Sequence, residues 1–196
     1  MARTFSTMLE IGTRAPGFSL PDPSDVEYTL ESFSSSRALL VVFMCNHCPF
    51  VIHIREGLAA FARDYADRNL AVVGINSNDP EHYPADSPAK MAEEIEIAGY
   101  EFPYVFDESQ EVAKAYRAAC TPDFFLFDSE RRLVYRGQFD DSRPGNGIRV
   151  TGESLRAASE TLLGGGSIDL DQRPSLGCNI KWKLGNEPAY VMDPTG

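Results

Sequence analysis

LLVVFMCNHCPFVIHIRE, Leu39 to Glu56, places two cysteines two residues apart, between an apolar run and an amphipathic segment. Ala38 to Met44 is short, uninterrupted and rich in Val and Leu, as a strand buried on both faces is. From Cys48 to Arg68 the period changes. Phe50, Ile54, Leu58, Phe61, Ala62 and Tyr65 recur every three or four residues, with Arg55, Glu56, Arg63, Asp64 and Asp67 between them, which predicts a helix with one apolar face. Pro49 has no N–H to donate and fits only in the first turn of that helix, so the cysteine pair belongs at the helix amino terminus.

Working outward, strand-like and helix-like segments alternate, which predicts an α/β sheet protein. Leu70 to Ile75 reads as a second buried strand, followed by a loop rich in Asn, Asp and Pro. Ser87-Pro88 is a helix-start signal for Ala89 to Ala98, and Gly99 stands where a helix stops. Asp107 with Gln110 resembles a capping box ahead of a third helix. Phe124 to Phe127 and Leu133 to Gly137, separated by polar residues, predict an antiparallel hairpin, and Glu153 to Leu163 a last helix ended by three glycines. The residues from Ser167 on have little periodicity but carry Cys178, Ile180 and Trp182, so they are expected to form a tail that docks.

Length and composition bound the rest. A chain of 196 residues supports one domain, 1–196, with a core of about 38–163, an N-terminal extension at 1–37 and a tail at 167–196. With 43% hydrophobic residues and no apolar run near the ~18 that a membrane span needs, the sequence is that of a soluble protein with no membrane partner. The first residues lack the apolar stretch of a secretory signal, so a cytoplasmic location is expected. A net charge of −11 opposes nucleic-acid binding.

Four cysteines, Cys45, Cys48, Cys120 and Cys178, are too few for a disulfide scaffold. At a helix amino terminus the unpaired N–H groups and the partial positive charge favour thiolate, so the Cys45 pKa is expected below the free value of about 8.5, making it the nucleophile. Cys48 is then close enough to resolve a mixed disulfide. His47, when protonated, adds a positive charge beside the thiolate. A zinc site would need a second CxxC or a closely spaced His pair, and the sequence has neither, so no metal is expected. His53 and His82 receive no role. Thiol chemistry of this kind calls for no cofactor.

Strand, CxxC, helix, strand, helix, then Thr-Pro before a hairpin and a last helix resembles the thioredoxin fold: a central mixed sheet flanked by helices, here with an N-terminal β extension and a C-terminal tail. Gly12, Ala15, Pro16, Phe18 and Leu20 in IGTRAPGFSL match the leading segment of peroxiredoxins and peroxiredoxin-like thioredoxins. With MCNHCPFV, CTPDFFLFD, DDSRP and GCNIKWK, the chain is similar to the peroxiredoxin-like, AhpC/TSA-related thioredoxin-family proteins. The resemblance implies a cis bond before Pro122, facing the cysteine pair, with Thr121 and Pro122 presenting backbone groups to an extended substrate segment. Leu39 stands where thioredoxins keep a buried Asp, Met44 where they keep Trp, and the peroxiredoxin motif P-x-x-x-T-x-x-C is absent at both Cys45 and Cys48.

The expected activity is thiol-disulfide exchange. The substrate would be a disulfide-containing protein or a small thiol, and a thiol reductant would regenerate the pair. A thiol peroxidase and a non-catalytic redox sensor are the alternatives. Cys120, two residues before Pro122, and Cys178, in the tail, are either small buried side chains or an auxiliary redox pair, the tail folding back to bring Cys178 toward Cys120.

Overall fold

A computed structural model of the chain describes residues 3–192. In chain order it runs β1 (Arg3–Phe5), β2 (Ser19–Pro21), β3 (Glu27–Thr29), β4 (Ala38–Phe43), α1 (Pro49–Ala66) and β5 (Leu70–Asn76). Next come α2 (Pro88–Ala98), β6 (Tyr104–Phe106), α3 (Glu111–Ala115), β7 (Cys120–Thr121), β8 (Asp123–Phe127) and β9 (Leu133–Tyr135). The last elements are α4 (Glu153–Leu163), β10 (Leu176–Asn179) and α5 (Ala189–Met192).

Five strands form a mixed sheet in the order β6-β5-β4-β8-β9, with β4, β5 and β6 parallel and β8 and β9 antiparallel to their neighbours. β4 lies at the centre and all six of its side chains are buried. Because successive strand residues point to opposite faces, Ala38, Leu40 and Val42 pack with Ile54 and Leu58 of α1, Met91 of α2 and Leu155 of α4. Leu39, Val41 and Phe43 join Val73, Ile75, Tyr116, Phe125 and Phe127 on the other face. Burial of each large apolar side chain contributes about 1.5–3 kcal/mol, and this two-sided packing holds the end of β4, where Cys45 follows, against the start of α1. Among the described residues no helix is long and apolar enough to cross a membrane.

Two local expectations change. α1 begins at Pro49, and Cys48 is its N-cap, in extended conformation at φ −71° and ψ 121°. Asp107 does not form the expected box with Gln110. Gln110 is itself the N-cap of α3, in left-handed conformation at φ 65°, while the buried Asp107 carboxylate accepts from the Ala113 amide at 2.9 Å and the Ser77 hydroxyl at 2.9 Å.

The tail is more ordered than its sequence pattern indicates. β10 pairs antiparallel with β1 on one side and β7 on the other, with Cys178 opposite both Arg3 and Thr121, and Asn179 opposite Cys120. A Cβ on Gly177 would stand 1.9 Å from the Thr121 carbonyl oxygen, so only glycine allows this approach. Beyond β10, the Lys181 amide donates to Asn78 Oδ1 at 2.8 Å, and its carbonyl accepts from the Asp79 amide at 2.8 Å. Ile180 is buried in the core beside this link.

Candidate redox site

Cys45 and Cys48 meet Thr121 at the end of the sheet, and both are buried, at 1% and 0% exposure. The Cys45 sulfur lies 3.3 Å from the Thr121 hydroxyl. In its thiol form Cys48 donates to the Thr121 carbonyl at 3.1 Å. The Thr121-Pro122 peptide is cis, as the resemblance implied.

The two sulfurs sit in different electrostatic surroundings, and the direction for Cys45 is up instead of down. Burial pushes the Cys45 thiol well above its usual range, aided by the hydrogen bond that it gives Cys48 and by the negative charge of Asp86. Cys48 is drawn down to about 5, first by that hydrogen bond from Cys45, against the cost of burial, with further help from the Cys178 thiol and the Val51 amide. Cys48, the cap of the helix, thus has an amide of the first turn among its partners, while Cys45 faces a carboxylate.

Asp86, in the loop between β5 and α2, is the residue around which the motif is built, and no spacing in the sequence marked it. Its side chain is fully buried. Oδ1 accepts from the Asn46 amide at 2.9 Å and the His47 amide at 3.3 Å, and Oδ2 from Asn78 Nδ2 at 2.7 Å. His47 Nδ1 is 2.6 Å from the same Oδ2, and its ring stacks on Tyr83 with centroids 5.5 Å apart. His47 is therefore engaged by Asp86, which offsets any positive charge that it would bring to the thiolate. Asn46 is fixed on its other side by a hydrogen bond from the Tyr104 hydroxyl at 3.0 Å. Ligand atoms of Cys45, His47 and Asp86 all lie within 4.8 Å of one another, a three-donor set that could hold a metal ion, one short of the four donors of a closed zinc site.

Leu39 is fully buried on the sheet face away from α1, so no acid acts on the cysteines from that position. His53 lines a shallow groove beside Pro122, with Phe50, Phe139, Arg143 and Leu176 around it. His82 pairs with Asp79 at 2.5 Å, away from the cysteines in its own exposed position.

Cys120 and Cys178 are both buried but are not partners. The register puts Cys178 opposite Thr121, so alternation along the strand sends its side chain to the Thr121 face, where its thiol hydrogen-bonds the Cys48 sulfur. Cys120 points to the other face, where Asp123 and Arg136, both fully buried, stand 3.6 Å apart. The backbone edge of Thr121, which the resemblance assigned to a substrate, is taken by β10.

The model of the AhpC/TSA family matches residues 11–136, well over half of the chain. None of the curated proteins matches. A hypothetical protein of Sinorhizobium meliloti 1021 is 56% identical with a TM-score of 0.92, over 93% of this chain and 100% of its own. An uncharacterized conserved protein of Geobacillus kaustophilus is 52% identical with a TM-score of 0.91, over 93% of this chain and 97% of its own. A thiol:disulfide interchange protein of Chlorobium tepidum TLS, from the thioredoxin family, shares the fold at 18% identity and a TM-score of 0.61, over 78% of this chain and 97% of its own. With CxxC at the helix start and a cis-proline facing it, the chain belongs to the AhpC/TSA family as a peroxiredoxin-like protein of the thioredoxin fold.

Proposed function

We propose that the protein is a thiol-disulfide oxidoreductase in which Cys45 and Cys48 act as one dithiol. The observation that carries this is the geometry of the pair: both sulfurs are buried at the start of α1 and both meet Thr121, next to the cis bond before Pro122. When Cys45 attacks a substrate disulfide, its bond to one substrate sulfur forms as the substrate S–S bond breaks. Its proton passes by way of the Cys48 sulfur, acting as base, to the substrate sulfur that leaves, and Cys48, a thiolate again, then attacks Cys45 Sγ and releases the first substrate sulfur. Thr121 steadies the Cys45 sulfur through its hydroxyl, and Asp86 holds the Asn46-His47 turn rigid between the two cysteines. Substrates in this reading are disulfide-bonded proteins or small thiols, with a thiol reductant returning the pair to the dithiol.

The test is single-turnover exchange with an aromatic disulfide at neutral pH. Cys45→Ser is expected to abolish formation of a mixed disulfide. Cys48→Ser is expected to form one that persists, and to form it about 10²-fold more slowly, because the base is gone. Equal rates for wild type and Cys48→Ser would remove the proton-transfer role. A mixed disulfide on Cys48 in wild type would exchange the two roles.

A further inference from the structure

Outside the pair, the tail brings a third thiol to the site. Three sulfurs, those of Cys45, Cys48 and Cys178, share one buried cluster. Cys178 is brought there by three independent constraints. β10 is clamped between β1 and β7, with Cys178 in register with Thr121. Gly177 lies so close to the Thr121-Pro122 peptide that any side chain would collide with it. Downstream, Lys181 is tied through Asn78 to the loop that carries Asp86. Thr121 thus touches Cys45 with its hydroxyl, Cys48 with its carbonyl and Cys178 across the strand ladder. A structural cysteine needs none of this placement, and Cys120 on the opposite face shows what one looks like: its sulfur donates, at 3.5 Å, to the Pro122 carbonyl two residues along its own chain.

We propose that Cys178 is a third redox residue of the site, taking the disulfide over from the Cys45-Cys48 pair by attack on Cys48. This rests on the oxidoreductase reading above. Starting from the Cys45-Cys48 disulfide, the Cys178 sulfur forms a bond to Cys48 Sγ, and the Cys45–Cys48 bond breaks. The electron pair leaves on Cys45, which takes up the proton that Cys178 gave up. One disulfide is lost and one gained, with no net oxidation and no external reactant. Cys45 is returned as a thiol while the oxidising equivalent is kept inside the protein, and the bond to Cys178 fastens β10 across the Thr121 edge. Burial, and after it the contact with Cys48, hold the Cys178 thiol up to about 12 in the reduced protein.

The experiment uses the full-length protein, reduced and then oxidised with one equivalent of diamide, quenched in acid, alkylated and digested with trypsin. Cys45 and Cys48 fall in one peptide and Cys178 in another. The expected product is the two peptides cross-linked, with the alkyl label on Cys45, and a matching loss of free Cys178. Cys178→Ser is expected to show only the Cys45-Cys48 disulfide and to lose the labelled Cys45. A wild-type digest with the Cys45-Cys48 disulfide and Cys178 alkylated throughout overturns the proposal and leaves the oxidoreductase reading standing. A digest with no disulfide at either place overturns both. A cross-link with the label on Cys48 overturns the assignment of Cys48 as the point of attack.

Discussion

At the residue scale the site is a matter of where one proton resides. Cys48 loses its proton near 5 in the folded, reduced protein, chiefly through the hydrogen bond from Cys45, and near about 8.5 in the unfolded chain. Between those values the unfolded chain binds more protons, so the stability of the reduced protein rises with pH, by up to about 1.4 kcal/mol per unit. That contribution is complete above the unfolded value and is lost as the pH falls through about 5. Cys45 and Cys178, whose pKa values are raised, act against it only above about 8.5, where the unfolded chain ionises and the fold retains the protons. Oxidation ties Cys48 into a disulfide and removes its contribution, which makes the oxidised form the reference below about 8.5. Melting of reduced and oxidised protein, compared from pH 5 to pH 8, is expected to shift steadily in favour of the reduced form; a constant difference would place the thiolate elsewhere. The cysteines and the histidine were legible in the sequence because CxxC before Pro49 fixes a helix terminus. Asp86 was not, since its loop carries several acids and prolines and only the folded chain shows which carboxylate turns inward to meet Asn46 and His47. Nor does the two-residue spacing show how deeply Cys45 is buried, and burial, ahead of the Asp86 charge, is what raises its thiol instead of lowering it.

At the scale of elements, the strand-to-helix junction and the tail contrast. β4 and α1 announce themselves, one by an unbroken apolar run and the other by its three-to-four period, because each buries a face against the core. β10 is four residues long and includes a glycine, so no alternation could reveal it. What specifies it is a fit: Gly177 against the Thr121 carbonyl. Gly177→Ala is therefore expected to push β10 off β7 and to destabilise the protein by about 1–3 kcal/mol, the range for overpacking at a tight contact. The same variant should speed alkylation of Cys45 and Cys48 at constant pH, as the cover over the Thr121 edge loosens. Chemical denaturation and timed alkylation measure the two effects. Wild-type values in both would mean that β10 does not guard the cysteines.

At the scale of the molecule, the alternation of strands and helices predicted the layers, and the Thr-Pro before the hairpin predicted where the chain returns to the cysteines. The five-stranded mixed sheet and the cis bond agree with both. The tail was expected to dock and fold back toward the site, but not as a strand between β1 and β7, because that pairing joins Cys178 to Thr121, 57 positions upstream, and to Arg3, 175 positions upstream. Its consequence is a buried dithiol with a third thiol beside it. The most direct test supplies one thiol reductant to the protein and follows, side by side, reduction of a disulfide-bonded protein such as insulin and consumption of hydrogen peroxide. Accelerated disulfide reduction that is lost in Cys45→Ser, with peroxide consumed no faster than by the reductant alone, is the expected outcome. Peroxide turnover that depends on Cys45 or Cys48, without acceleration of disulfide reduction, would show that the site is a peroxidase and that the exchange chemistry assigned to it is wrong.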